Sequence, residues 1–151
     1  MDFKRIALFA SVVALLLQLM VGAYVTAAGF GGACGTDLPR DWPTCLGGLL
    51  PPAQLGPVAE YTHRILALLS TFLLLASAAI YWRGSFGGDP ARKLLLASIA
   101  LIFGEILLGG LVVSRELQPS LVALHQGVAV VIFGLVVAAL AKSRPKQQGS
   151  T

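Results

Sequence analysis

Residues 58–81 read VAEYTHRILALLSTFLLLASAAIY and residues 121–141 read LVALHQGVAVVIFGLVVAALA. Each is an apolar run with one histidine near its start, His63 and His125, and these are the only two histidines in the chain. A helix needs about 20 residues to cross the hydrocarbon core of a bilayer, and both runs meet that length. Elsewhere in the chain, Ile6–Ala28 and Leu94–Val113 meet it too. The expected fold is therefore an all-α integral membrane protein, a four-helix transmembrane bundle in a single domain, residues 1–151. Its spans are expected at about 6–28, 58–81, 94–113 and 121–141. Composition agrees: 56% of the 151 residues are hydrophobic, 12% are charged, and mean hydropathy is +0.81. A soluble globule carries about 25% charged residues, so this chain is built to be solvated by lipid.

The first run comes after Lys4 and Arg5 and is trailed by small residues, as in a signal peptide. It is longer than the apolar region of about 7–15 residues that signal peptides use, and is expected to be a retained helix. Direction across the membrane is set by the cations. Lys4, Arg5, Arg83, Arg92, Lys93, Lys142, Arg144 and Lys146 fall at the N-terminus, in the second connection and in the tail. Arg40 and Arg115 alone fall in the other two connections, while Arg64 lies within the second span. Both termini are thus expected on the cytoplasmic side of the cell membrane. The net charge of +4 is accounted for by topology, which leaves nothing for a nucleic-acid partner.

Residues 29–57 form the one long connection, expected outside. It holds seven glycines, five prolines and both cysteines, a composition for a compact cap rather than a helix. Its oxidising location makes Cys34 and Cys45 candidates for a disulfide. Two cysteines exclude both a disulfide framework and a four-thiolate metal site. The polar tail 142–151 is expected to be disordered.

The chain also carries an internal repeat. Gln18 is followed by Gly22, Ala23, Tyr24 and Val25; Glu105 is followed at the same spacing by Gly109, Gly110, Leu111 and Val112. His63 is followed four residues on by Ala67, and His125 by Ala129. Each half is a two-helix hairpin, and the halves run in the same direction, so a pseudo-two-fold axis along the membrane normal relates them. Such an axis lets the second and fourth helices face each other with their histidines level, roughly 6–8 Å below the outer helix ends at 1.5 Å per residue.

Two imidazoles without thiolates suit haem iron, which takes two axial ligands, better than zinc, which takes three or four protein ligands. Ala67, Ser70 and Ala129 lie on the histidine faces and are small enough to leave room for a flat ring. Gly22, Gly109 and Gly110 also let membrane helices approach. Charge within a span is expensive, which singles out three more residues. Glu60 lies one turn from His63 on the same face, placed for proton transfer, for holding substrate, or simply as an interfacial cap. Arg64 is placed either to meet a haem propionate or to snorkel to headgroups. Glu105, near the middle of the third span, has three readings: a partner for Arg64, a protonated acid, or part of a proton path.

These same residues carry a family resemblance. Asp41-Trp42-Pro43-Thr44-Cys45 with Leu46-Gly47-Gly48, Glu60-Tyr61-Thr62-His63-Arg64, Leu107-Leu108-Gly109-Gly110 and Leu124-His125-Gln126-Gly127 resemble, in order and topology, the haem A synthase family. The chain is similar to a compact, half-length form, since typical members have eight spans in two four-helix units, each with a histidine pair. The resemblance implies His63 and His125 as axial ligands, Glu60 as the catalytic carboxylate and Cys34–Cys45 as a disulfide. It also implies haem b as cofactor and haem O as substrate, with a ring methyl carried through two hydroxylations to the formyl group of haem A. The partners implied are a second copy of the chain, haem O synthase and terminal oxidase assembly. The cysteines stand further apart than is usual for the family, and Glu105 occupies a position where glutamine is expected.

Three other functions use parts of the same pattern. A haem b electron carrier needs only the histidines. A membrane thiol oxidoreductase needs a C-x-x-C pair, which this sequence lacks. A proton-coupled transporter would use Glu105 and bind no haem.

Overall fold

The computed structural model describes residues 3–37, 39–83 and 90–143. The expected disorder of the tail past Ser143, and the charges of Arg144 and Lys146, lie outside the described residues. Four helices account for most of the rest: α1 (Phe3–Ala27), α2 (Leu55–Arg83), α3 (Pro90–Ser114) and α4 (Pro119–Lys142). All four are long and apolar enough to cross a membrane. Their prolines stand only at the starts: Pro90 and Pro119 open α3 and α4, and Pro57 sits in the first turn of α2. There the missing N–H breaks no intrahelical bond. For that reason Leu55, Gly56 and Pro57, expected to close the long connection, are already helical.

The helices run alternately up and down. α1 packs on α2 and α3 on α4, and the two pairs meet through α1 with α4 and α2 with α3. Among the described residues α1 does not pack on α3, nor α2 on α4. The second and fourth helices are therefore diagonal neighbours across the middle of the bundle.

The repeat seen in the sequence keeps one register along the helices. Leu8 and Leu95, Leu15 and Ile102, and Leu74 and Val136 are equivalent pairs, and all six are core residues. Ser11 and Ser98 are equivalent and fully buried. Ser11 Oγ lies 2.9 Å from Ser77 Oγ across the α1–α2 seam. In the second pair Ala139 replaces Ser77, while the Ser98 hydroxyl donates back to Leu94 O at 2.9 Å just as Ser11 donates to Ala7 O at 3.2 Å. α1 and α3 also end alike. Phe30 N–H donates to Val25 O and Gly29 N–H to Thr26 O; at the same offset, Leu117 N–H donates to Val112 O and Glu116 N–H to Val113 O. This pattern ends a helix through a residue with positive φ, here Gly29 at +70° and Glu116 at +51°.

Past that shared cap the two halves diverge. In the second half a short turn leads directly into α4. In the first, residues 28–37 and 39–54 belong to a loop braced by the Cys34–Cys45 disulfide. Leu46 and Gly47, both at positive φ, make a two-residue turn between Cys45 and Gly48, the geometry that favours glycine at its second position. Asp41 is the buried hub of the loop: it accepts from Arg40 Nε at 2.9 Å, Arg40 Nη2 at 3.1 Å and Asp37 N–H at 3.1 Å. The Arg40 hydrogen bonds hold the Asp41 carboxyl below the usual carboxylate range.

The packed core sits toward the end of the bundle away from this loop, around Leu8, Leu74, Tyr81, Leu95 and Val136. The outward faces are apolar as well: Met20, Leu68, Phe72 and Leu107 are exposed. A water-soluble protein would not show so large a patch, whereas a multi-pass membrane protein presents this surface to lipid.

Candidate functional site

At the loop end the four helices part around a cavity of about 330 Å³. Its walls are built from equivalent positions. Gln18 and Glu105, Leu19 and Ile106, Gly22 and Gly109, and Val25 and Val112 come from α1 and α3. His63 and His125, and Ala67 and Ala129, come from α2 and α4. The cavity thus lies on the pseudo-two-fold axis, and Trp42 and Pro43 of the loop close one side. Nothing in a run of apolar residues requires a hole there. Small residues on facing helices make it, because no side chain fills the space they leave.

His63 and His125 both line this space and are partly buried. α2 and α4 begin before their apolar runs do, so both histidines lie deeper than the sequence suggests, about 12 Å and about 9 Å past the first helical residue at 1.5 Å each. Each ring rests against a glycine of the paired helix. A Cβ on Gly22 would come within 2.7 Å of His63 Cε1, and one on Gly109 within 3.2 Å of His125 Cε1. The glycines are therefore seats for the imidazoles as well as points of helix approach. Gly110 faces the indole of Trp42, whose atoms lie 3.9 Å from where a Cβ would be.

Glu60 and Arg64, one turn apart on α2, form a buried ion pair. Oε2 of Glu60 accepts the Cys34 N–H at 2.7 Å, and Oε1 accepts from Arg64 Nη2. Arg64 Nη1 donates to the carbonyls of Asp41 and Thr44. The guanidinium does not snorkel to headgroups; it is 9% exposed and gathers the Asp41–Thr44 loop onto the helix. Both residues still reach the cavity wall. The equivalent positions in α4 are Val122 and Gln126, so the charged pair belongs to one half alone. Gln126 donates to Thr26 Oγ1 at 3.2 Å.

Glu105 does not pair with Arg64. Its Oε1 lies 3.0 Å from Nδ1 of His125, although the ring N–H is not directed at it, and neither group has another hydrogen-bond partner. Its counterpart Gln18 is engaged elsewhere, accepting the hydroxyl of Ser70 through Oε1. Sequence reasoning passed over Asp41 as a hub and Leu117, which covers Gly31 and Gly32 and lines the cavity. An aspartate directly after the loop's one arginine, Arg40-Asp41, was the available signal for the first. For Leu117 there was none.

The residues present suit a flat apolar group held at two points. The walls are mainly apolar, two imidazoles project from diagonal helices, and buried Nδ1 atoms on both rings lack partners. Unsatisfied polar atoms are costly in a dry interior, and a group bound at the opposite nitrogen would fix the tautomer and the direction in which each ring offers its Nδ1 proton.

A family model described as cytochrome oxidase assembly protein (COX15-CtaA) matches residues 3–137. Similar relatives include the haem A synthases of Bacillus pumilus, 33% identical over 82% of this chain and 39% of that protein, and of Bacillus licheniformis, 31% identical over 83% and 40%. Another, from Shouchella clausii, is 32% identical over 96% of this chain and 48% of its own length. The chain spans less than half the length of each of these curated relatives. No solved structure matches it.

Proposed function

Because the chain belongs to the COX15-CtaA family of cytochrome oxidase assembly proteins, we propose that it is a compact haem A synthase, oxidising the ring methyl of haem O to the formyl group of haem A. The observation that carries this reading is the placement of His63 and His125 at equivalent positions around one cavity on the repeat axis. In the proposal these two histidines would hold the haem iron, each through the ring nitrogen opposite its buried Nδ1. A bound haem supplies the iron-centred redox chemistry. The chain's part is to bind, orient and handle protons.

Glu60 is the proposed catalytic carboxylate. It stands one turn from His63 on the cavity wall, and the Cys34 N–H and Arg64 hold its position. An acid or base fixed on the cavity wall could move the protons released as the substrate methyl is oxidised. Arg64 is proposed to neutralise a propionate where it borders the cavity, while its other hydrogen bonds secure the loop. Both termini are placed on the cytoplasmic side from the distribution of cations, with the disulfide loop outside. One histidine pair per chain and a need for both haem b and haem O favour a homo-oligomer, acting between haem O synthase and terminal oxidase assembly.

One observation favours a second reading, a haem b electron carrier without synthase activity. Both carboxylate oxygens of Glu60 are already engaged, as a purely structural residue would be. Glu60→Gln separates the two, because it keeps the shape and removes the ionisable group. The synthase reading expects this variant to bind haem with the wild-type spectrum yet form little or no haem A from supplied haem O. Unchanged haem A formation overturns the role of Glu60, and failure of the wild-type protein to form haem A overturns the synthase reading in favour of the carrier.

A further inference from the structure

The two halves of the site differ at one buried position in a way the family resemblance does not explain. Gln18 and Glu105 occupy equivalent places one turn from the glycine that seats each histidine. Gln18 is tied to Ser70. The residue equivalent to Ser70 in α4 is Ile132, a core residue, so α4 offers Glu105 no hydroxyl. Glu105 is 5% exposed, both of its oxygens are unpartnered, and the nearest candidate donor is His125 Nδ1 at 3.0 Å. That separation is within hydrogen-bonding range, and the torsion that would direct the N–H toward the oxygen is a soft one.

We propose that Glu105 is a positioning residue for His125, accepting the proton of Nδ1 and so fixing the tautomer that leaves Nε2 free to bind haem iron. The inference rests on the bis-histidine reading above and makes that site unsymmetrical. A carboxylate on the far nitrogen of a metal-bound imidazole orients the ring and makes it a stronger donor. His63 has no carboxylate at the matching place. His125 is then the firmly held ligand of the pair, and His63, on the side of Glu60, the weaker one. A stronger donor stabilises the ferric state over the ferrous, and therefore lowers the reduction potential of the bound haem.

The test uses the full chain purified in detergent and loaded with haem b, comparing wild type with Glu105→Gln and Glu105→Ala. Glu105→Gln is expected to keep the low-spin six-coordinate spectrum while its reduction equilibrium shifts roughly tenfold toward ferrous haem, which is about 59 mV upward for a one-electron couple. Glu105→Ala is expected to weaken haem binding roughly tenfold or more, the usual cost of removing such a partner. The decisive measurement is the iron–histidine stretch of the ferrous haem in backgrounds that retain one histidine. Glu105→Gln should lower it in His63→Ala, where His125 is the ligand, and leave it unchanged in His125→Ala. Equal shifts in both backgrounds would mean a general effect of charge and overturn the proposal, as would an unchanged potential in Glu105→Gln. If wild type itself lacks the low-spin spectrum, the bis-histidine reading fails and takes this one with it.

Discussion

The N–H of Cys34 donates a 2.7 Å hydrogen bond to Glu60, so the disulfide loop and the second helix share a buried contact one turn from His63. Through Arg64, which also binds the carbonyls of Asp41 and Thr44, the same helix turn holds the other side of the loop. The loop is therefore part of the site's wall rather than a lid resting on it.

The cross-link should contribute to this arrangement. Cys34 and Cys45 are eleven positions apart, and closing a loop of that size stabilises by about 3 kcal/mol through the unfolded chain. Cys34→Ser is expected to lower the thermal midpoint in detergent and to reduce haem retention. Thiol labelling of the unreduced, denatured wild type should find neither cysteine free; stoichiometric labelling of both would contradict the bond.

If His63 and His125 are the axial ligands, alanine at either position should abolish the low-spin six-coordinate spectrum while the protein still inserts in the membrane. An unchanged spectrum removes the substituted residue as a ligand.

Gly22 and Gly109 give a graded version of the same experiment. A methyl at Gly22 meets the His63 ring at 2.7 Å, which forces a shift, whereas one at Gly109 meets His125 at 3.2 Å, which a slight movement relieves. Gly22→Ala is expected to lower haem affinity clearly more than Gly109→Ala, as read by haem titration. Equal effects would show that the rings are not seated on these glycines.

Asp41 predicts a pH dependence outside the membrane. Its carboxyl is held below the ordinary aspartate value of 3.8, chiefly by the Arg40 hydrogen bonds. A carboxyl depressed in the folded state contributes stability that is present above its unfolded pKa and lost as pH falls through the folded one. Loop protection, measured by proteolysis or amide exchange, should therefore hold at neutral pH and decline below about pH 4. Asp41→Asn should flatten that decline; an equally steep loss in the variant would place its origin elsewhere.

The four helices were legible because a bilayer demands long apolar runs, and the runs stand clear of their neighbours in sequence. The repeat was legible from Gln18–Gly22 against Glu105–Gly109, and with it the pairing of His63 with His125. The partners of the charged residues were not. Arg64 is satisfied by carbonyls of Asp41 and Thr44, and backbone acceptors leave no trace in side-chain identity. Glu105 reaches His125 across the α3–α4 seam, a contact that depends on which faces of two nearly uniform apolar helices meet. The helix starts were also missed, since Leu55–Pro57 is helical despite a composition suited to a loop.

The tight packing around Leu8, Leu74, Leu95 and Val136 and the hollow around the histidines occupy opposite halves of the same four helices. One half therefore carries the duty of keeping the chain assembled, and the other is released from it. Polar side chains and the glycines that seat the imidazoles, Gln18, Glu105, Gly22 and Gly109, can accumulate where the bundle parts because cohesion is secured further along. Changes that retune the hollow need not unfold the protein, whereas changes of equal size at the tight end would loosen every helix at once.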